Sequence, residues 1–168
     1  MLATTLGGDS FLGRVLTGRI ESGTLKTGQQ LKAISINNEF VENFRVNKIL
    51  AFRGLKQQAI DTAEAGDIVS LAGMSKATVA DTIADQSVQD PIPAQPIDPP
   101  TITVTFGIND SPLAGRDGKK VQSRVIRDRL LKECASNVAI KMVDTPGGEA
   151  FDVSGRGELQ MGVLIENM

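Results

Sequence analysis

The chain has 168 residues, of which 40% are hydrophobic and 23% charged, an ordinary composition for a globular protein. Its formal net charge of -2 gives no general pull toward DNA or a membrane surface, so any basic patch must be local. It has no His and a single cysteine, Cys134, which excludes His-based acid–base or nucleophile schemes, an intrachain disulfide and a Cys-cluster zinc site. No apolar run approaches the roughly 18 residues of a membrane helix. The start, MLATTLGGDS, lacks the charged and apolar regions of a signal peptide, so a cytoplasmic protein is expected. Trp and Tyr are absent, which leaves six Phe as the base-stacking candidates.

Residues 1–85 read as all-β. Leu2 to Leu6 forms a starting strand that ends at Gly7-Gly8-Asp9, and Leu12 to Glu21 is β-rich with turns at Gly18 and Ser22-Gly23. Residues 31–37 alternate up to Asn37-Asn38, and Phe40 to Lys48 reads as one returning strand. Ile49, Leu50 and Phe52 precede a loop at Arg53-Gly54, and Ala65-Gly66-Asp67 turns into the apolar strand Ile68 to Ala72. Short strands with glycine turns and no long helical stripe point to a small closed barrel, because closure removes sheet edges.

Residues 86–100 hold five of the seven prolines and read as a stiff, extended linker. Beyond it the pattern changes. Ile102, Val104, Phe106 and Ile108 alternate with threonines as a strand with one buried face. A helix is predicted from about Val121 to Asn137, with Ile126, Leu130 and Cys134 along its apolar side. Cys134 reads there as a small buried hydrophobe. Val138 to Val143 and Glu149 to Ser154 are predicted strands around a Thr145-Pro146-Gly147-Gly148 turn. Then Gly155-Arg156-Gly157 leads into a helix with Leu159, Val163 and Leu164 at helical spacing. The order β-α-β-β-α, over residues 101–168, lacks one strand of a split βαβ, ferredoxin-like domain. The missing strand would pair beside the first, so strand 101–108 is expected to expose an edge. The chain is expected to be monomeric or to associate through that edge.

Three fragments imitate nucleotide sites. Asp144-Thr145-Pro146-Gly147 copies a DxxG magnesium motif, but no phosphate loop precedes it. Asn47-Lys48 begins a guanine-binding NKxD that fails at Leu50, and the third glycine of a dinucleotide fingerprint is replaced by Gln160. No catalytic, nucleotide or metal site is therefore expected on this chain. The stronger signal is electrostatic. Arg116, Lys119, Lys120, Arg124, Arg127, Arg129 and Lys132 face only Asp117 and Asp128 between residues 116 and 132. Part of this reads as a solvated helix face stitched by Arg124–Asp128 and Asp128–Lys132 pairs. Lys119, Lys120, Arg116 and Arg124 are candidate RNA-phosphate contacts. Arg156 at the second helix, and Arg14, Arg19, Arg53 and Lys56 in the barrel, are further candidates.

Ser154-Gly155-Arg156-Gly157-Glu158-Leu159 matches the SGxGEL signature in the third domain of elongation-factor-G-like translational GTPases. The ending Val163 to Met168 resembles the TypA/BipA branch, although Gln160 stands where His is usual. Residues 13–28 and Glu64 to Val69 resemble the β-barrel second domain that elongation factors Tu and G share. The resemblance implies a piece of a larger ribosome-binding GTPase, in which GTP and magnesium belong to a preceding domain. It implies binding to the ribosome and ribosomal RNA, coupling between nucleotide state and docking, a part in translation regulation and stress response, and no chemistry on this chain. Elongation factor G, LepA and the ribosomal protection proteins share the plan. A stand-alone protein-interaction module is the reading from a different class.

Overall fold

The computed structural model of the chain describes residues 1–9, 11–112, 114, 116 and 122–168. They gather into two units, Met1–Ile97 and Asp98–Met168, each around its own core. The first unit holds ten strands: β1 (Leu2–Asp9), β2 (Gly13–Arg19), β3 (Thr24–Lys26), β4 (Gln30–Ile34), β5 (Phe40–Arg45), β6 (Lys48–Arg53), β7 (Lys56–Ile60), β8 (Thr62–Glu64), β9 (Ile68–Ala72) and β10 (Thr82–Ala84). Eight of them form a sheet in the order β5-β4-β10-β1-β2-β9-β6-β7, while β3 and β8 pair with each other.

The sheet curls because its two ends share one interior. Phe44 of β5 is buried in the same cluster as Leu16, Ile49, Val69 and Leu71, and Val41 and Ile60 pack against that cluster from the end strands. Closure does not come from a β5–β7 ladder. The β3–β8 ribbon does it instead: Leu25 and Ala63 sit opposite each other, both buried, and the Thr27 N–H donates to the Asp61 carbonyl at 2.9 Å. The expected closed barrel is thus a barrel-like curl held shut by a second, two-stranded layer.

Three barrel boundaries differ from the sequence reading. The strand expected over Phe40 to Lys48 is two strands, because the chain changes partner there: the Val46 N–H still donates to the Gln29 carbonyl beside β4 at 3.0 Å, whereas the Asn47 N–H donates to Ala72 of β9 at 2.8 Å. The loop expected at Arg53-Gly54 is a tight hairpin, with Gly54 at φ 64 supplying the left-handed turn, and β7 follows it. Residues 82–84 form β10, which joins β1 to β4 and completes the sheet. The chain beyond folds back, since the Ile92 N–H donates to Thr82 Oγ1 at 2.8 Å.

The second unit contains β11 (Ile102–Gly107), α1 (Ser123–Ser136), β12 (Lys141–Asp144), β13 (Ala150–Gly155) and α2 (Glu158–Asn167). Its sheet order is β11-β13-β12, so β11 lies at an edge with β13 as its one neighbour among the described residues. Leu130, Ile140, Phe151, Val153, Met161 and Leu164 form the core, with Ile102, Val104, Phe106, Ile126 and Cys134 packed against it. Burial pushes the Cys134 thiol above its ordinary value, so it stays a weak nucleophile. The predicted strand start at Val138 is displaced to Lys141 because Asn137 makes a turn: its Oδ1 accepts the Ala139 N–H at 3.0 Å. The second helix buries Met161 and Leu164, whereas Leu159 and Val163, which share helical spacing with Leu164, stay exposed. Among the described residues no helix is long and apolar enough to cross a membrane.

Candidate nucleic-acid interface

The register of the barrel gathers three of its four candidate cations along the run β2-β9-β6-β7, Arg19 on the face of Phe52 and the Arg53–Lys56 pair on the other face of the hairpin tip. Arg19 at the end of β2 pairs with Ile68 of β9, and Ala51 of β6 pairs with Val69. One rung further along that ladder Phe52 lies beside Ile68, and across β6–β7 Phe52 faces Gln57 while Arg53 faces Lys56. Strand alternation sends Ile49 and Ala51 into the core and Phe52 outward. The result is a row of Arg19, Ile68, Phe52 and Gln57, with the Arg53–Lys56 pair at the hairpin tip. Phe52 is 49% and Ile68 60% exposed, and Leu55 projects fully into solvent between the two tip cations.

Charge is segregated there. From Asn43 to Ile60 the chain carries Arg45, Lys48, Arg53 and Lys56 and no Asp or Glu, within a protein of net charge -2. Arg45 is partly committed, its Nε donating to the Gly28 carbonyl at 2.9 Å. Lys48, Arg53 and Lys56 are exposed. Sequence reading singled out Arg53 and Lys56 and held Phe52 only as one of six base-stacking candidates, and it missed Leu55 and Ile68. The signal that marks Phe52 and Leu55 is the long interval without a carboxylate, whereas Ile68 joins them only through strand register.

Arg14 behaves differently. Its Nη1 donates to the carbonyls of Lys76 and Ala77, both at 2.8 Å. From the other side the Glu42 carboxylate accepts the N–H groups of Ser75, Lys76 and Ala77 at 3.0, 2.7 and 2.7 Å, and the Ser75 hydroxyl at 2.8 Å. Two opposite charges thus clamp the β9–β10 connection. Burial alone would raise the Glu42 carboxyl, but the donors from Ala77, Lys76 and Ser75 outweigh it and hold the group below its ordinary value. Asp81 nearby is raised, chiefly by burial, against the opposing pull of the Thr78 N–H and Arg14. The position of Arg14 is that of a barrel clamp.

In the second unit Arg116 and Arg124 are exposed, and neither makes an ion pair among the described residues. Lys119 and Lys120 lie outside the described residues. The helix pairs expected for Asp128 do not form. Instead the Arg127 guanidinium forks onto Asp144, both contacts at 3.1 Å, and Arg129 meets Glu133 at 2.8 Å. The planar fork of Arg127 reaches the end of β12, a partner that helical spacing does not reveal. That pairing commits Asp144, and residues 144–148 form the β12–β13 hairpin turn, with the Gly148 N–H donating to Thr145 at 2.9 Å.

Arg156 is exposed at the start of α2, but its backbone is occupied: its N–H donates to Gln160 Oε1 at 2.8 Å and its carbonyl accepts the Thr101 hydroxyl at 2.9 Å. Gly155 eases this approach, because a Cβ there would push aside the Met161 methyl and crowd Gln160 Oε1. Packing thus accounts for Gly155, and Gln160 serves as the internal clasp of the turn.

Comparison with known proteins agrees with this architecture. Residues 13–84 match the family model for elongation factor Tu domain 2. Proteins described as large ribosomal subunit assembly factor BipA are similar over nearly the whole chain: 43% identity over 98% of it in Synechocystis, 42% over 95% in Bacillus subtilis and 42% over 100% in Escherichia coli K12. The chain spans 26–28% of the length of these relatives. A crystal structure from Thermus thermophilus shares the fold with a TM-score of 0.65 at 17% identity, covering 96% of this chain and 23% of that one. At 42–43% identity over 95–100% of its length, the chain belongs to the BipA (TypA) family.

Proposed function

We propose that these two units are ribosome-docking modules of a cytoplasmic translational GTPase, coupling its nucleotide state to contact with ribosomal RNA. GTP and magnesium would then be held by another part of the protein, and this chain would contribute binding without chemistry. The supporting observation is the carboxylate-free cationic hairpin, which gives an acidic chain one face suited to a polyanion. Relatives described as large ribosomal subunit assembly factors support reading that polyanion as ribosomal. Arg116, Lys119, Lys120 and Arg124 would add a second contact from the other unit. Self-association at high concentration would use the free edge of β11.

Sedimentation with purified ribosomal subunits tests the proposal. Binding is expected at low salt and should weaken steeply as salt rises. Failure to co-sediment at low salt would refute it.

A further inference from the structure

Of the six Phe, Phe44 and Phe151 are buried and Phe106 packs on the core of its unit. Three remain exposed: Phe11, Phe40 and Phe52. Phe11 follows Asp9, whose carboxylate accepts its N–H at 2.8 Å, and Phe40 stands between Glu39 and Glu42 in sequence. An RNA strand approaching either would meet carboxylates. Phe52 alone among the three lies on the stretch without an acid, with Arg53 and Lys56 one rung away and Arg19 at the other end of its row.

We infer that the β6–β7 hairpin reads unpaired RNA, with Phe52 as a stacking platform and Leu55 as an apolar wedge between two phosphate-binding cations. This rests on the ribosomal RNA reading proposed above and narrows its target. A uniform duplex offers the hairpin phosphates but no exposed base face, so Phe52 and Leu55 would stay in water. A bulge or loop presents a base whose π-face covers Phe52, while Arg53 and Lys56, one rung on and facing the other side of the tip, hold phosphates of the strand as it wraps around the hairpin end. Stacking of one base on an aromatic side chain changes affinity by about tenfold or more. Ile68 beside Phe52 extends the apolar floor without adding a polar group. Gln57, opposite Phe52, adds an amide at the edge of that floor.

The test uses fluorescence anisotropy with two RNA probes of the same stem, one interrupted by unpaired nucleotides and one fully paired. The intact chain should prefer the interrupted probe by about tenfold. Phe52→Ala should abolish the preference and leave duplex affinity unchanged. Phe52→Leu should retain only part of it, because apolar area remains but the aromatic face is lost. Leu55→Ala, at a fully exposed position where folding is not at stake, should reduce it too. Equal affinity of the intact chain for both probes overturns the inference while leaving the docking proposal standing. Absence of binding to either probe or to subunits removes both. If Phe52→Ala weakens binding to whole subunits but neither probe shows a preference, the hairpin meets protein and the inference fails.

Discussion

In the barrel unit sixteen buried residues form one cluster that includes Phe44 of the end strand β5, Ile60 of the other end strand packs against it, and a ribbon adds Leu25 and Ala63 to it. The second unit closes around six buried residues and leaves β11 with one neighbour among the described residues. Apolar burial is the main source of stability, and it grows faster than surface as a domain enlarges. The barrel is therefore a platform rigid enough to present a projecting hairpin. The smaller unit has little reserve and is expected to open first.

The sharpest way to break this comparison is to remove one large core side chain from each unit. Phe151→Ala should cost about 3–5 kcal/mol and unfold the second unit while the barrel resonances persist in a two-dimensional NMR spectrum. Leu16→Ala should cost about 2–5 kcal/mol and lower the barrel melting temperature without abolishing its fold. If Phe151→Ala unfolds both units together, the two do not have separate stabilities.

A smaller effect probes the clamp on the β9–β10 connection. Glu42→Ala should destabilise the barrel by about 0.5–1.5 kcal/mol, because it hands the exposed N–H groups of Ser75 and Lys76 to water and leaves the half-buried Ala77 N–H without its acceptor. The same carboxylate gives a pH signature. Its value is depressed in the fold, so its contribution is complete above the ordinary carboxylate range and is lost as pH falls through the depressed value. Asp81 acts in the opposite sense: its raised value means a cost at neutral pH that is relieved on acidification. Urea titrations across acidic pH should show the intact barrel losing stability more steeply than Glu42→Ala.

A comparable effect concerns the Gly-Arg-Gly turn. Gly155→Ala should cost about 1 kcal/mol, since the Met161 methyl and the Gln160 amide can shift aside. Faster hydrogen exchange of the Arg156 amide, released from Gln160, would mark the site of the change.

Local chemistry explains what was legible in the sequence. Alternation in Ile102, Val104 and Phe106 named the buried face of β11, and Leu130 and Cys134 named the inner side of α1, because each period maps directly onto a face. The Pro-Gly-Gly turn was equally direct. What escaped was set by contacts between distant residues. β10 is three residues long and exists because β1 and β4 leave a slot for it. Arg14 looked like a free cation until the fold brought Lys76 and Ala77 to it. In the candidate interface Arg53 and Lys56 were visible as cations, but their alignment with Arg19 and Phe52 depends on strand register across β2, β9, β6 and β7.

The central claim is that the barrel hairpin leads docking to RNA, and the salt dependence of ribosomal RNA binding tests it most directly. The intact chain should give a slope of log affinity against log salt of about -3 to -4, and Arg53→Gln with Lys56→Gln should reduce its magnitude by about two. An unchanged slope in that double variant, or a slope near zero in the intact chain, would contradict the account.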